Sequence, residues 1–230
     1  MRILLTALVA LFAGFAGAAA WQYSGLGSEQ LRGDLIGEPD WLPQAMDEYQ
    51  RQQMAARIEP YADELATAFP GAVLGNPNGT VTLVEFSDYA CGYCRQSLPD
   101  VNGLIAENPD LKVVVREYPI LSQGSADAAR MALAAAQQGK FIQFHNAMFA
   151  AETLSEEAIA AAASAAGLDL DLARQQIASG AYESELQNNV FMAREIGFTG
   201  TPSWIIGERA INGAVGREEL ARAIVEARES

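Results

Sequence analysis

Apolar and polar positions alternate in blocks that change period along the chain. Thr80-Val81-Thr82-Leu83-Val84-Glu85-Phe86 is a run rich in β-branched residues and reads as a buried strand. After a short loop, Leu98, Val101, Leu104 and Ile105 recur at helical spacing until Asn108-Pro109, and Lys112 to Tyr118 reads as a second strand. A strand-helix-strand unit of this length predicts parallel pairing through a right-handed crossover. Helical patterns then occupy Ser125 to Gln138, Lys140 to Ala151, Ser155 to Ala166, Asp171 to Ser179 and Glu183 to Ile196. Ser203 to Gly207 and Arg209 to Val215 predict an antiparallel pair, and a closing helix begins at Arg217. The expectation is an α/β domain over 76–230, interrupted by a helical insertion at about 122–196.

Upstream the pattern differs. Arg2, the apolar stretch Ile3 to Phe15 and the small residues Ala18-Ala19-Ala20 form an export element over 1–20. Two readings stay open: a cleaved signal peptide, or an N-terminal membrane anchor with Trp21 and Tyr23 at the interface. Both place the globular part outside the cytoplasm. A polar linker over 21–33 leads to a helical appendage over 34–75, with Leu42, Met46, Tyr49, Met54, Ile58, Tyr61 and Leu65 at steps of three or four. Pro60 is expected to kink or restart it, and the main domain is expected to begin near Asn76. The stripe has no sequence-adjacent element to cover it, which predicts a homo-oligomer, with folding back onto the same chain as the alternative.

Composition narrows the partners. A formal charge of −14 leaves no surplus of Lys and Arg to displace counterions from a polyanion, which excludes nucleic acid as a partner. Half of the residues are apolar, enough to bury a core. The chain has two cysteines, Cys91 and Cys94, separated by two residues. A bond across so short a loop constrains the unfolded chain little, so chemistry rather than stability explains the pair. A structural zinc site wants four ligands, and two Cys with one His fall short.

Cys91-Gly92-Tyr93-Cys94 stands between a predicted strand and a predicted helix. The first sulfur then meets unsatisfied backbone N–H groups and the positive end of the helix dipole, which favours its thiolate. Cys91 is the expected nucleophile, and Cys94, one turn further in, is expected to attack a mixed disulfide on Cys91 and release the product. This chemistry needs no cofactor. The rival reading is a binding module, an exported chaperone or adaptor whose cysteine pair is incidental. An exposed Cys91 with a depressed pKa favours the enzyme, and a buried, inert pair the module.

Phe86-Ser87-Asp88-Tyr89-Ala90-Cys91-Gly92-Tyr93-Cys94, with Gly200-Thr201-Pro202-Ser203 downstream, resembles the DsbA family of thioredoxin-like thiol-disulfide oxidoreductases over residues 76–230. The resemblance implies a thioredoxin-like fold and a redox disulfide between Cys91 and Cys94. It also implies a cis-proline at Pro202, with Thr201, Pro202 and Tyr93 as substrate-binding residues, and an acidic residue beneath the redox pair, Glu85, that exchanges a proton with Cys94. Gly92-Tyr93 replaces the Pro-His of DsbA itself, so Cys91 lacks an imidazolium neighbour and the disulfide is expected to be less oxidising. Gly-Tyr between the cysteines and Thr before the proline are similar to the disulfide isomerase DsbC, and the whole arrangement is similar to ScsC-like proteins. The implied role is a periplasmic isomerase or reductant acting on exported cysteine-containing proteins, recycled by a membrane partner of the DsbB or DsbD/ScsB type. Asp88 and Tyr89 read equally well as tuning residues or as an exposed loop, and His145 reads as a packing residue of the inserted helices.

Overall fold

The computed structural model describes residues 14–15 and 41–229. Apart from residues 14–15, the expected export element, the linker and residues 34–40 lie outside the described residues. The chain divides into two compact units, Met1–Gln52 and Gln53–Ser230.

Helix α1 (Trp41–Ile58) belongs to the first unit as far as Gln52. There Leu42, Met46 and Tyr49 are more than half exposed, at 52%, 54% and 63%. Glu48 receives hydrogen bonds from Arg51 and from Gln52 at helical spacing, local contacts that stabilise a helix only slightly.

In the second unit, a single 3-10 turn at Glu59–Tyr61 carries Pro60 in its first positions, where the missing N–H is harmless, and α2 (Ala62–Ala66) follows. A sheet of five strands has the order β1-β3-β2-β4-β5. They are β1 (Val73–Gly75), β2 (Val81–Ser87), β3 (Leu111–Glu117), β4 (Ser203–Ile206) and β5 (Arg209–Asn212). β2 and β3 run parallel, joined by α3 (Gly92–Glu107), and the other pairings are antiparallel. The insertion consists of α4 (Gln123–Gln137), α5 (Phe141–Ala150), α6 (Glu156–Ala166), α7 (Leu170–Ala178) and α8 (Glu183–Ile196), and α9 (Arg217–Glu229) closes the chain. Ser122, Ser155 and Asp169 cap α4, α6 and α7 by accepting backbone N–H bonds, and Gly197 ends α8 at a φ of 100°, a left-handed conformation that glycine adopts without steric cost.

This is a thioredoxin-like α/β fold, as the sequence implied, with two departures. Val73–Gly75 forms the edge strand β1, paired with β3 from Val73↔Val114 to Gly75↔Lys112, so the sheet starts before Asn76. Three residues are too few for a period to show in the sequence, and β1 exists because β3 offers its free edge. The second half of the apolar stripe is also part of this unit: Ile58 and Leu65 are buried in its core. The part of the stripe after residue 52 therefore belongs to the core of this unit, and within the first unit Leu42, Met46 and Tyr49 are exposed.

Strand parity sorts the core. Leu83, Val113, Val115, Trp204 and Ile206 face one side, with α3, α9 and most inserted helices. Val84, Phe86, Val114 and Ile205 face the other with Ile58, Leu65 and the α8 residues Met192, Ala193 and Ile196. On that second side Arg116, nearly fully buried, donates to the backbone carbonyls of Glu64 and Thr67 and to Glu185 and Asn189. It supplies donors to carbonyls at the end of α2, and a guanidinium carries enough N–H groups to serve several acceptors at once.

Candidate active site

The redox motif begins where β2 ends. Cys91 occupies the N-cap position of α3 in an extended conformation, and its carbonyl accepts the N–H of Arg95 to open the helix. Its thiol donates to the carbonyl of Thr201 at 3.1 Å, and the Thr201-Pro202 peptide is cis. Both cysteines are free thiols. Cys94 lies one turn into the helix and is 1% exposed, against 7% for Cys91. The order of exposure is as expected for an attacking and a resolving thiol, but Cys91 is more covered than expected. The Thr201 carbonyl is hydrogen-bonded to its sulfur, a contact across 110 residues that spacing along the chain does not reveal.

Beneath the sulfurs lies Glu85. Its odd parity with Leu83 turns it to the redox side of the sheet, between Val115 of β3 and Trp204 of β4 in register. It is 3% exposed, and burial pushes its carboxyl up to about 7, because charge in an apolar interior is poorly solvated. Burial pushes the Cys94 thiol well up too, and the nearby Glu85 charge adds to it. A carboxyl that titrates near neutrality beside a thiol that resists ionisation is suited to take that thiol's proton.

Of the residues singled out in the sequence, Cys91, Cys94, Glu85, Thr201 and Pro202 are brought together. Tyr93 points outward, 65% exposed, at the mouth of the helix. Asp88 and Tyr89 are not an exposed loop: they are 1% and 2% exposed. Glu117, not among those residues, shares the parity of Val113 and Val115 and lies on the redox side. The Tyr89 hydroxyl donates to Glu117 Oε1 at 3.1 Å and lies 3.0 Å from His145 Nδ1. Packed against the rings of Phe141, Phe149 and Tyr89, His145 is driven down to about 3 by burial and is a neutral imidazole, consistent with a packing residue.

Residues 82–225 match the DSBA-like thioredoxin domain. Among solved structures, a thioredoxin-like oxidoreductase from Silicibacter pomeroyi is 37% identical, covering 73% of this chain and 98% of its own, with a TM-score of 0.70. The thiol-disulfide exchange protein alpha-DsbA2 from Wolbachia pipientis is 30% identical over 77% of this chain and 97% of its own, with a TM-score of 0.72. A Proteus mirabilis ScsC variant, at 22% identity, shares the fold over 90% of this chain and 95% of its own, with a TM-score of 0.68. Curated relatives include the Na(+)/H(+) antiporter NhaA 3 of Salinispora tropica, 30% identical over 67% of this chain and 24% of that protein. The chain thus spans about a quarter of the length of the curated relatives it matches. Among the described residues no helix is long and apolar enough to cross a membrane.

The raised Glu85 carboxyl has a thermodynamic consequence. Between the ordinary value of 4.5 and about 7 the unfolded chain has lost this proton while the folded chain holds it, so stability falls as pH rises through that window. Glu85→Gln should abolish this fall and leave the reduced protein more stable above pH 7, by on the order of 3 kcal/mol. Urea unfolding of both proteins across pH 4 to 8 measures the difference; parallel stability profiles would mean that Glu85 ionises normally.

Proposed function

Because the chain belongs to the DSBA-like thioredoxin domain family, we propose that it is a periplasmic thiol-disulfide oxidoreductase that exchanges disulfides with exported proteins through Cys91 and Cys94. The observation that carries this reading is the Cys91 sulfur at the start of α3, 3.1 Å from the carbonyl that precedes a cis-proline, with Glu85 buried beneath. An extended substrate segment laid against Thr201 and Pro202 brings its own sulfur to Cys91, with main-chain hydrogen bonds giving affinity for any sequence. Tyr93, exposed beside the nucleophile, adds an apolar contact with a polar tip.

The cycle follows from the environments of the two sulfurs. Cys91, at a helix N-terminus, attacks the substrate disulfide as thiolate. Cys94, dry and protonated, waits until Glu85 takes its proton, then attacks the mixed disulfide and releases the substrate. This division supports an enzyme over a chaperone with an incidental cysteine pair, since an inert pair needs neither the helix position nor the carboxyl.

Direction follows from what surrounds Cys91. Gly92-Tyr93 places no imidazolium beside Cys91, and the pair acts as isomerase or reductant rather than as a strong oxidase. A membrane redox partner of the DsbB or DsbD/ScsB type would reset it. The exposed Leu42, Met46 and Tyr49 of α1 support self-association, which would hold several Cys91 sites around one misfolded substrate. Residues 1–20 either direct export and are removed or anchor the protein at the membrane; both leave the redox unit in the periplasm.

Cys91→Ser should abolish exchange with a model disulfide substrate, while Cys94→Ser should accumulate mixed disulfides visible on non-reducing gels; equal trapping by both variants would reverse the assignment. Equilibration with glutathione should return a potential more negative than the roughly −120 mV of a strongly oxidising DsbA, and a value at or above that marks an oxidase. Sedimentation of the mature soluble chain should show a dimer or trimer that dissociates in the double variant Leu42→Asp, Met46→Asp, and a monomeric parent removes the multivalent argument for isomerisation.

A further inference from the structure

Asp88 has no part in the cycle above, yet it is more heavily bonded than any residue of the motif. Its Oδ1 accepts the N–H of Ala90 at 2.8 Å, and its Oδ2 accepts the N–H groups of Ile120 at 2.9 Å and Leu121 at 3.0 Å. Its carbonyl accepts the N–H of Cys91 at 2.9 Å. With 1% exposure, these are the partners that make burial of the carboxyl tolerable, since an unpaired polar group in the interior is costly. Ala90 and Cys91 lead into α3, whereas Ile120 and Leu121 lie between β3 and α4. One side chain therefore ties the entrance of the redox helix to a segment some thirty residues away, a tie that neither helix nor sheet provides.

Building on the proposed function, we propose that Asp88 is a positioning residue for the resolving step, holding the start of α3 in the frame in which Cys94 attacks Cys91. In that step the Cys94 thiolate attacks the Cys91 sulfur of the mixed disulfide. The Cys91–Cys94 bond forms while the bond from Cys91 to the substrate sulfur breaks, and the electron pair leaves on the substrate sulfur, which takes up a proton. The proton lost by Cys94 has passed to the Glu85 carboxylate. Line-up matters more here than in the first attack, because the substrate disulfide approaches from solvent and adjusts itself, whereas Cys94 is fixed on a buried helical turn. The Asp88 N–H also acts on the Cys94 sulfur, where it opposes the effects of burial and of Glu85 that disfavour the thiolate. Other titratable groups on this side of the sheet are Glu85 of β2, Glu117 of β3, Tyr89 and His145 of α5, and Cys91 itself.

Asn at position 88 has one acceptor oxygen and turns an NH2 group toward N–H donors, so at least one of the bonds breaks. The test follows reduced full-length protein mixed with oxidised glutathione, with acid quenching and mass analysis to give separate rates for formation of the Cys91–glutathione mixed disulfide and for its resolution by Cys94. In Asp88→Asn the ratio of resolution to attack should fall about tenfold, the change expected from losing one hydrogen bond to a charged group, so the mixed disulfide accumulates. Leu121→Pro deletes a single N–H donor and keeps the carboxylate; it should lower the same ratio by less, and it decides the matter alone where Asp88→Asn does not fold. A ratio unchanged from the parent overturns the role of Asp88, as does an equal slowing of both steps, which marks general loosening. A parent protein that forms no mixed disulfide at Cys91 overturns the functional reading itself.

Discussion

A carboxyl group buried beneath a sulfur is the constraint around which this domain is arranged. Glu85 sits in a strand whose neighbours in register are the apolar Val115 and Trp204, and burial outweighs the Ser87 side chain, which favours the charged form. Burial raises its proton affinity into the neutral range, and the proximity of its charge raises that of the Cys94 thiol. Two groups that each resist ionisation can pass one proton between them without creating two buried charges. The arrangement requires a central strand, because only a strand paired on both sides and covered on both faces keeps its side chains this dry.

The polar groups around that carboxyl show how the interior tolerates them. Asp88 is matched by three backbone N–H groups, Glu117 by the Tyr89 hydroxyl, and Tyr89 in turn by His145. Each lies on the redox side of the sheet, while the opposite side carries Arg116 with its own set of carbonyl and carboxylate acceptors. Strand parity separates the guanidinium from the carboxyl cluster although Arg116 and Glu117 are adjacent in sequence. A guanidinium at the place of Glu117 would have lowered the proton affinity of Glu85, and the alternation of the strand turns Arg116 to the opposite face.

The helical insertion and the segment before the sheet play different parts. The insertion supplies the aromatic packing around His145 and Tyr89 and so helps exclude water from the redox side. Residues 53 to 75 contribute Ile58, Leu65 and the edge strand β1, and are integral to the domain rather than attached to it. In the portion of α1 before Gln53 the apolar residues Leu42, Met46 and Tyr49 are exposed.

Local sequence determined the order of elements. The β-branched run at Thr80–Phe86, the helical spacing after Cys91 and the five helical patterns of the insertion each lie within a residue or two of what forms, because periods of two and of about 3.6 are imposed by the backbone itself. The same local reading located Cys91 and Cys94 and, through resemblance, Pro202 and Glu85. Tertiary structure alone decided how covered Cys91 is, because its partner, the Thr201 carbonyl, is 110 residues away. It also decided that Val73–Gly75 is a strand, since so short a segment takes its conformation from the edge it pairs with. Asp88 makes the same point most sharply: Ser87-Asp88-Tyr89 is composed like any loop, and only the arrival of the Ile120 and Leu121 N–H groups makes it a buried junction. A hydrogen bond between distant segments leaves no period in either of them, and for that reason it is absent from the sequence until the chain has folded.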